Sequence, residues 1–165
     1  MIAGEIHAAQ DVRKVHPRRV DAFTSGEARP IARIALGRIA VVRESPPAGA
    51  VIGVDALPAD PETWPWVEIV VSAAGVDGRV VRLLAAAGVA GIVVAATGNG
   101  TVHHLLEAPL ADAASRGVAI VRSSRCLEGA IVDDEPATIA SAGALTPVKA
   151  RVELLLDLLA RRSAA

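Results

Sequence analysis

Residues 91–125 read GIVVAATGNGTVHHLLEAPLADAASRGVAIVRSSR. The apolar run Gly91–Ala96 ends in the glycine turn Gly98-Asn99-Gly100. A helix over Pro109–Arg116 follows, with proline in its first turn and Gly117 after its end. Val118–Arg122 is a second apolar run, closed by Ser123-Ser124-Arg125. Two apolar strands joined by a helix of this length are parallel neighbours with a crossover connection. In open parallel sheets, ligand-handling residues collect beyond the carboxyl ends of the strands. Thr97–Thr101 and Ser123–Arg125 are therefore the first places to look for a site.

The pattern extends in both directions. Val67–Ala73 reads as a buried strand. Gly78–Ala87 reads as a helix with Val80, Val81, Leu84 and Ala87 facing inward and Gly88 as its left-handed cap. Thr146 and Pro147 form an N-cap and a first-turn proline, opening a helix that runs to about Arg161. Its apolar stripe is Val148, Val152, Leu155, Leu156 and Leu159. Thr138–Ala142 can add a short fourth strand. Alternating strands and helices with short connections predict an α/β fold: a small parallel sheet flanked by helices, with right-handed crossovers. Upstream, Pro46, Pro47, Pro58, Pro61 and Pro65 break regular structure. Before them, 31–43 alternates apolar with polar or small residues around Leu36-Gly37-Arg38, the pattern of a β-hairpin. Residues 1–20 are polar and basic, with too little apolar surface to bury anything alone. The expected division is 1–44, a proline-rich linker 45–66, and an α/β domain 67–165.

Composition narrows the function classes. Of 165 residues, 52% are hydrophobic and 21% charged, a globular balance, and the net charge is −1. Aromatic residues are 2% and tyrosine is absent, so the core is built from Ala, Val, Leu and Ile. A near-neutral chain lacks the concentrated basic face of a nucleic-acid binder. Arg13, Lys14, Arg18 and Arg19 read as a solvated basic face. The lone Cys126 cannot form an intrachain disulfide, which points to a reducing, cytoplasmic setting. No signal peptide is visible at the start. The longest apolar run, Leu83–Ala96, falls short of the roughly 20 residues that span a bilayer. No membrane partner is expected.

Each candidate group has a plain structural reading. Glycine and asparagine tolerate positive φ, which accounts for Gly98-Asn99-Gly100 as a turn between strand and helix. Its backbone N–H groups could also cradle an anion, but the Walker spacing and lysine are missing. Ser123 and Ser124 lie outside a Gly-x-Ser-x-Gly elbow and read as hydroxyls satisfying backbone at a strand end, with Arg125 ion-paired. His103 and His104 face different ways on a helix and have no Cys or Glu at ligand spacing, so no metal site is expected. Cys126 reads as a small buried residue, and Lys14 as an exposed lysine.

Taken in order, several segments form a set. These are Ile6-His7-Ala8-Ala9 through Lys14-Val15-His16, Asp21-Ala22-Phe23-Thr24-Ser25, Gly91–Thr101, Val121–Arg125 and Leu145–Arg151 (LTPVKAR). In this order they resemble the bacterial-type L-asparaginases, the threonine-nucleophile amidohydrolases. The resemblance implies that 67–165 is the flavodoxin-like C-terminal domain and 1–44 the tail of the N-terminal domain with its hairpin. It implies hydrolysis of L-asparagine or a similar small amide to the acid and ammonia, without metal or organic cofactor. It also implies a homo-oligomer with active sites at subunit contacts.

The resemblance places the lysine of the family's Thr-Lys-Asp relay at Lys14. It places substrate-binding positions at Asn99 and Thr101, with threonine at 101 where asparagine is usual. The family's acidic residue beyond the Ser-Ser-Arg strand falls among Asp133, Asp134 and Glu135, with no single assignment. The family's Thr-Gly-Gly-Thr-Ile and Gly-Thr-Asp-Thr segments do not occur in these 165 residues. An acyl-enzyme route needs an activated nucleophile, a base and oxyanion donors. The expectation is therefore a chain that begins after both segments and is inactive alone, with a structural and interfacial role. Two alternatives stay open: a non-catalytic amino-acid-binding or oligomerisation domain, and a small flavodoxin-like nucleotide binder.

Overall fold

The structure is a computed structural model and describes residues 1–47, 51–133 and 137–163. Asp134 and Glu135, and residues 48–50 of the proline-rich stretch, lie outside the described residues. The chain divides into two compact units, Met1–Val51 and Ile52–Ala165.

In the N-terminal unit, β1 (Glu5–Ile6), β4 (Ala32–Ala35) and β5 (Arg38–Val41) form an antiparallel sheet in the order β1-β4-β5. Separately, β2 (Arg13–Lys14) pairs with β3 (Phe23–Thr24). The expected hairpin is present as β4–β5, and its turn is the two residues Leu36 and Gly37. Ala35 faces Arg38 across it, so Arg38 belongs to the strand. Both turn residues have positive φ, 50° and 72°, which matches the primed turn favoured by strand twist.

The C-terminal unit holds a parallel sheet of β6 (Val67–Val71), β7 (Gly91–Ala96), β8 (Ala119–Ser124) and β9 (Ala140–Ser141), in that spatial order. Helix α1 (Arg79–Ala86) joins β6 to β7, α2 (His104–Ser115) joins β7 to β8, and α3 (Pro147–Ser163) follows β9. Strand alternation separates two cores. Val70, Ile92 and Val94 face α1 and α2, where Val81, Leu106, Leu110 and Ala113 meet them. Val67 and Val93 face α3, against Ala150 and Leu154. Burial on both faces is why β7 is apolar along its whole length.

The helices correct three expectations. In α1, Val81, Leu84 and Ala85 pack inward, while Val80 and Ala87 are exposed. Helix α2 begins at His104, so Pro109 lies inside it and not in its first turn. His103 starts it instead: its Nδ1 accepts a hydrogen bond from Leu105 N at 3.2 Å. Helix α3 carries more than one apolar stripe between its charged residues, and the sheet takes the Ala150, Leu154, Leu158 stripe. Leu155 and Leu159 are inward as expected, but Val148, Val152 and Leu156 face solvent. Arg151 fixes this rotation by donating from Nε to the Val67 carbonyl at 2.8 Å. Cys126 is also exposed, because β8 ends at Ser124 and the chain leaves the sheet there. Among the described residues no helix is long and apolar enough to cross a membrane.

Candidate functional site

The carboxyl ends of β6, β7 and β8 converge on one rim. After β6, Ser72 is buried and its Oγ accepts from His103 N at 2.8 Å, tying that strand end to the start of α2. Just beyond, Asp77 accepts from the Arg79 amide at 3.0 Å and from its guanidinium at 2.6 Å. Those bonds, the amide first, hold the carboxyl below its ordinary range.

After β7 the chain turns within Thr97–Thr101. The amides of Gly100 and Thr101 donate to the Thr97 carbonyl at 3.0 and 2.8 Å, and Thr97 N donates back to Thr101 O at 3.1 Å. Gly98 and Gly100 both have positive φ, 48° and 84°. At the end of β8, Ser123 Oγ donates to Leu145 O at 2.5 Å and Ser124 Oγ to Gly98 O at 2.6 Å. Both serines therefore satisfy backbone, as read from the sequence.

Asn99 and Thr101 sit together on the β7 turn. The amide of Asn99 is engaged at both ends by one residue: Nδ2 donates to Val132 O at 2.7 Å and Oδ1 accepts from Val132 N at 2.9 Å. Thr101 is exposed. Lys14 lies in the other unit, on β2, exposed, with its Nζ 5.8 Å from the centroid of the Phe23 ring, its partner in the β2–β3 ladder. Nearby in that unit His7 Nδ1 and Ser25 Oγ are 2.8 Å apart and join the end of β1 to the end of β3.

Sequence reasoning missed Arg122. The residue is 9% exposed and lies on the same face of β8 as Ile120, the face that carries α1 and α2. Its Nε donates to Ile139 O at 3.0 Å, Nη1 to Asn99 O and Gly100 O at 3.3 and 3.2 Å, and Nη2 to the Asp133 carboxylate. A charged residue in the middle of a buried strand was the available signal, because arginine is seldom fully buried without a partner. Arg125, the expected ion-pairing residue, is exposed. An open groove of about 660 Å³ runs past Arg122 between α2 and 137–139, floored by Leu110 and Ile120.

The two histidines also depart from expectation. His103 precedes the first helical turn, in extended conformation, so its ring stacks on His104 with centroids 4.4 Å apart and does not point away. Among the described residues no group of three His, Cys, Asp or Glu side chains is placed to hold a metal ion.

Residues 66–165 match the family model described as the Glutaminase/Asparaginase C-terminal domain, and residues 1–47 match that of Asparaginase, N-terminal. The chain belongs to the asparaginase family. Its four-stranded parallel sheet with three helices is the α/β architecture expected for the asparaginase C-terminal domain. The chain is 41% identical over 99 residues to L-asparaginase 2 of Escherichia coli (strain K12), which covers 57% of this chain and 28% of that protein. It is 28% identical over 165 residues to a glutamyl-tRNA(Gln) amidotransferase subunit of Halobacterium salinarum (strain ATCC 29341 / DSM 671 / R1), covering 91% of this chain and 38% of that protein. The asparaginase-family chain thus spans less than two fifths of the length of these relatives.

Proposed function

We propose that this chain serves asparaginase-type amide hydrolysis, L-asparagine to L-aspartate and ammonia, and that it lends the Thr97–Thr101 turn to an active site at a subunit contact. The observation that carries this reading is the exposed Thr101, held at the carboxyl end of β7 by a turn closed on Thr97. Its hydroxyl can donate to a carboxylate or accept from an ammonium group, the two polar ends of an amino-acid substrate. Asn99 supports it from the side, its own amide engaged by Val132.

Lys14 is the proposed relay lysine. A lysine acts as a base when burial or neighbouring charge lowers its hold on the proton. Here it is exposed over Phe23, and the 165 residues contain neither Thr-Gly-Gly-Thr-Ile nor Gly-Thr-Asp-Thr. The relay has no threonine to activate, so these residues alone bind without hydrolysing, and self-association is part of the reading. A second reading, a component working within an amidotransferase, is favoured by the alignment with the Halobacterium salinarum protein, which spans 91% of the chain.

The test uses the purified 165-residue chain. With L-asparagine or L-glutamine, no ammonia is released above the blank. L-Asparagine or L-aspartate raises the melting temperature, since a ligand at a hundredfold its Kd stabilises by about 2.7 kcal/mol. Ammonia release sinks the claim of a missing nucleophile, and no thermal shift with either amino acid sinks the substrate contact. A shift with glutamine alone favours the second reading.

A further inference from the structure

We propose that Arg122 is a positioning residue for the substrate contact at Thr101, acting through the carbonyls of the glycine turn. The inference rests on the reading of Thr97–Thr101 as a substrate contact. It adds the device that holds the turn in place.

A buried guanidinium is costly unless its donors are matched, and this one is matched by acceptors from three separate segments. Asn99 O and Gly100 O belong to the turn after β7, Asp133 to the loop after β8, and Ile139 O to the approach to β9. Nη1 alone takes both turn carbonyls, so the peptide units on either side of Gly100 are aimed inward. That orientation sets where the next residue, Thr101, emerges. The clamp is doubled by Asn99, whose amide grips Val132 in the same loop that carries Asp133.

The fit leaves no slack. A Cβ on Gly100 would lie 2.4 Å from Nη1 and 2.8 Å from Ile131 Cδ1. The glycine, the guanidinium and Ile131 therefore interlock, and the turn and the loop move as one rim. A planar fork with five donors can span these acceptors, whereas a lysine carries its donors on one atom and cannot.

The test is amide hydrogen exchange and L-asparagine titration by NMR on the full chain, wild type against Arg122→Lys. Removing bonds from a charged donor is expected to speed exchange at the Gly100, Thr101 and Val132 amides by about tenfold or more. The β6–β7 ladder amides are expected to stay within about threefold, because only local opening changes. The L-asparagine Kd read at the Thr101 amide is expected to rise by about tenfold, in proportion to the lost preorganisation. Unchanged rim amides, an equal loss across the sheet, or an unchanged Kd each overturn the proposal. If Arg122→Lys does not fold, Asp133→Ala is used, which keeps the guanidinium and removes one acceptor. Faster exchange confined to the rim then supports the proposal, and none overturns it. If L-asparagine moves no wild-type resonance at Thr101, the substrate reading fails on its own and the exchange comparison still judges the hold of Arg122 on the turn.

Discussion

Gly98 and Gly100 stand two residues apart in one turn, and alanine at each should cost very different amounts. Both have positive φ, 48° and 84°. For a residue with a Cβ, that conformation costs about 1–2 kcal/mol, partly offset because alanine restricts the unfolded chain more than glycine does, by about 0.4–1 kcal/mol. A net loss of about 1 kcal/mol is therefore expected at Gly98, where a Cβ meets nothing within 4 Å. At Gly100 the new methyl meets Arg122 Nη1 at 2.4 Å and Ile131 at 2.8 Å. Overpacking adds about 1–3 kcal/mol. Displacing the guanidinium also weakens charge-assisted bonds of about 1.5–3 kcal/mol each. The expected total for Gly100→Ala is about 3–5 kcal/mol. Both tryptophans, Trp64 and Trp66, lie in the C-terminal unit, so their fluorescence reports its urea unfolding alone. With a slope near 2 kcal/mol per M, the midpoint falls by about 0.5 M for Gly98→Ala and by about 1.5 M or more for Gly100→Ala. Midpoints for the two variants within about 0.3 M of each other would refute the interlock, because the guanidinium would then have moved aside at no cost.

Two further predictions concern other parts of the chain. Because the Arg79 amide and guanidinium lower the Asp77 carboxyl below its ordinary 3.8, its stabilisation is complete above that value and is lost as pH falls through the lowered one. Wild type and Asp77→Asn should therefore differ in urea midpoint at neutral pH and converge in acid, and a difference that grows on acidification contradicts the assignment. Leu36 is fully exposed at φ 50° in the hairpin turn, so Leu36→Asn is expected to slow exchange of the β4–β5 amides several-fold, a gain of up to about 1 kcal/mol. Faster exchange in that variant would show that the leucine side chain stabilises the turn.

The sheet was legible because its strands are buried on both faces and bounded by glycine. Gly91–Ala96 falls where the apolar run and the turn after it place it. The hairpin was legible from Leu36-Gly37-Arg38, although Arg38 belongs to the strand, and the short fourth strand from Thr138–Ala142. Helix faces were less so. Periodicity selects a face only when one side is polar, and α3 offers two apolar stripes of equal spacing. The sheet chooses between them by fit, with Arg151 reaching Val67 O. The start of α2 was hidden because proline is favoured in a first turn, while an imidazole capping its own helix is an uncommon signal. At the rim, the glycine turn announced itself, but its anchor did not. Arg122 is one charge in an apolar strand, and the acceptors that justify it come from up to 23 residues away in sequence. Lys14 stood out through its resemblance alone; nothing in its local pattern separates it from an exposed lysine.

The two units differ in what can hold them folded. Burial of a large aliphatic side chain contributes about 1.5–3 kcal/mol, and an alanine far less. In the C-terminal unit Ile92, Leu106, Leu110 and Leu159 are fully enclosed. Among the described residues of the N-terminal unit, the buried ones are Ala8, Ala22, Ser25, Pro30 and Ala32. There the apolar face of the hairpin, Ile34 and Ile39 opposite each other with Val41 beside Ala32, is exposed. Polar contacts there include Arg33 with Glu5 at 3.0 Å, Arg43 with Asp11, and His7 with Ser25. An exposed ion pair such as Arg33–Glu5 contributes about 0–1 kcal/mol, less than the ordering entropy of the strands it joins, whereas Arg43–Asp11 is half-buried. The large fully buried aliphatic side chains therefore lie in the C-terminal unit, which also carries the Arg122 rim. Lys14 sits on a two-residue ladder, whereas Thr101 closes on Thr97 at the end of the buried strand β7.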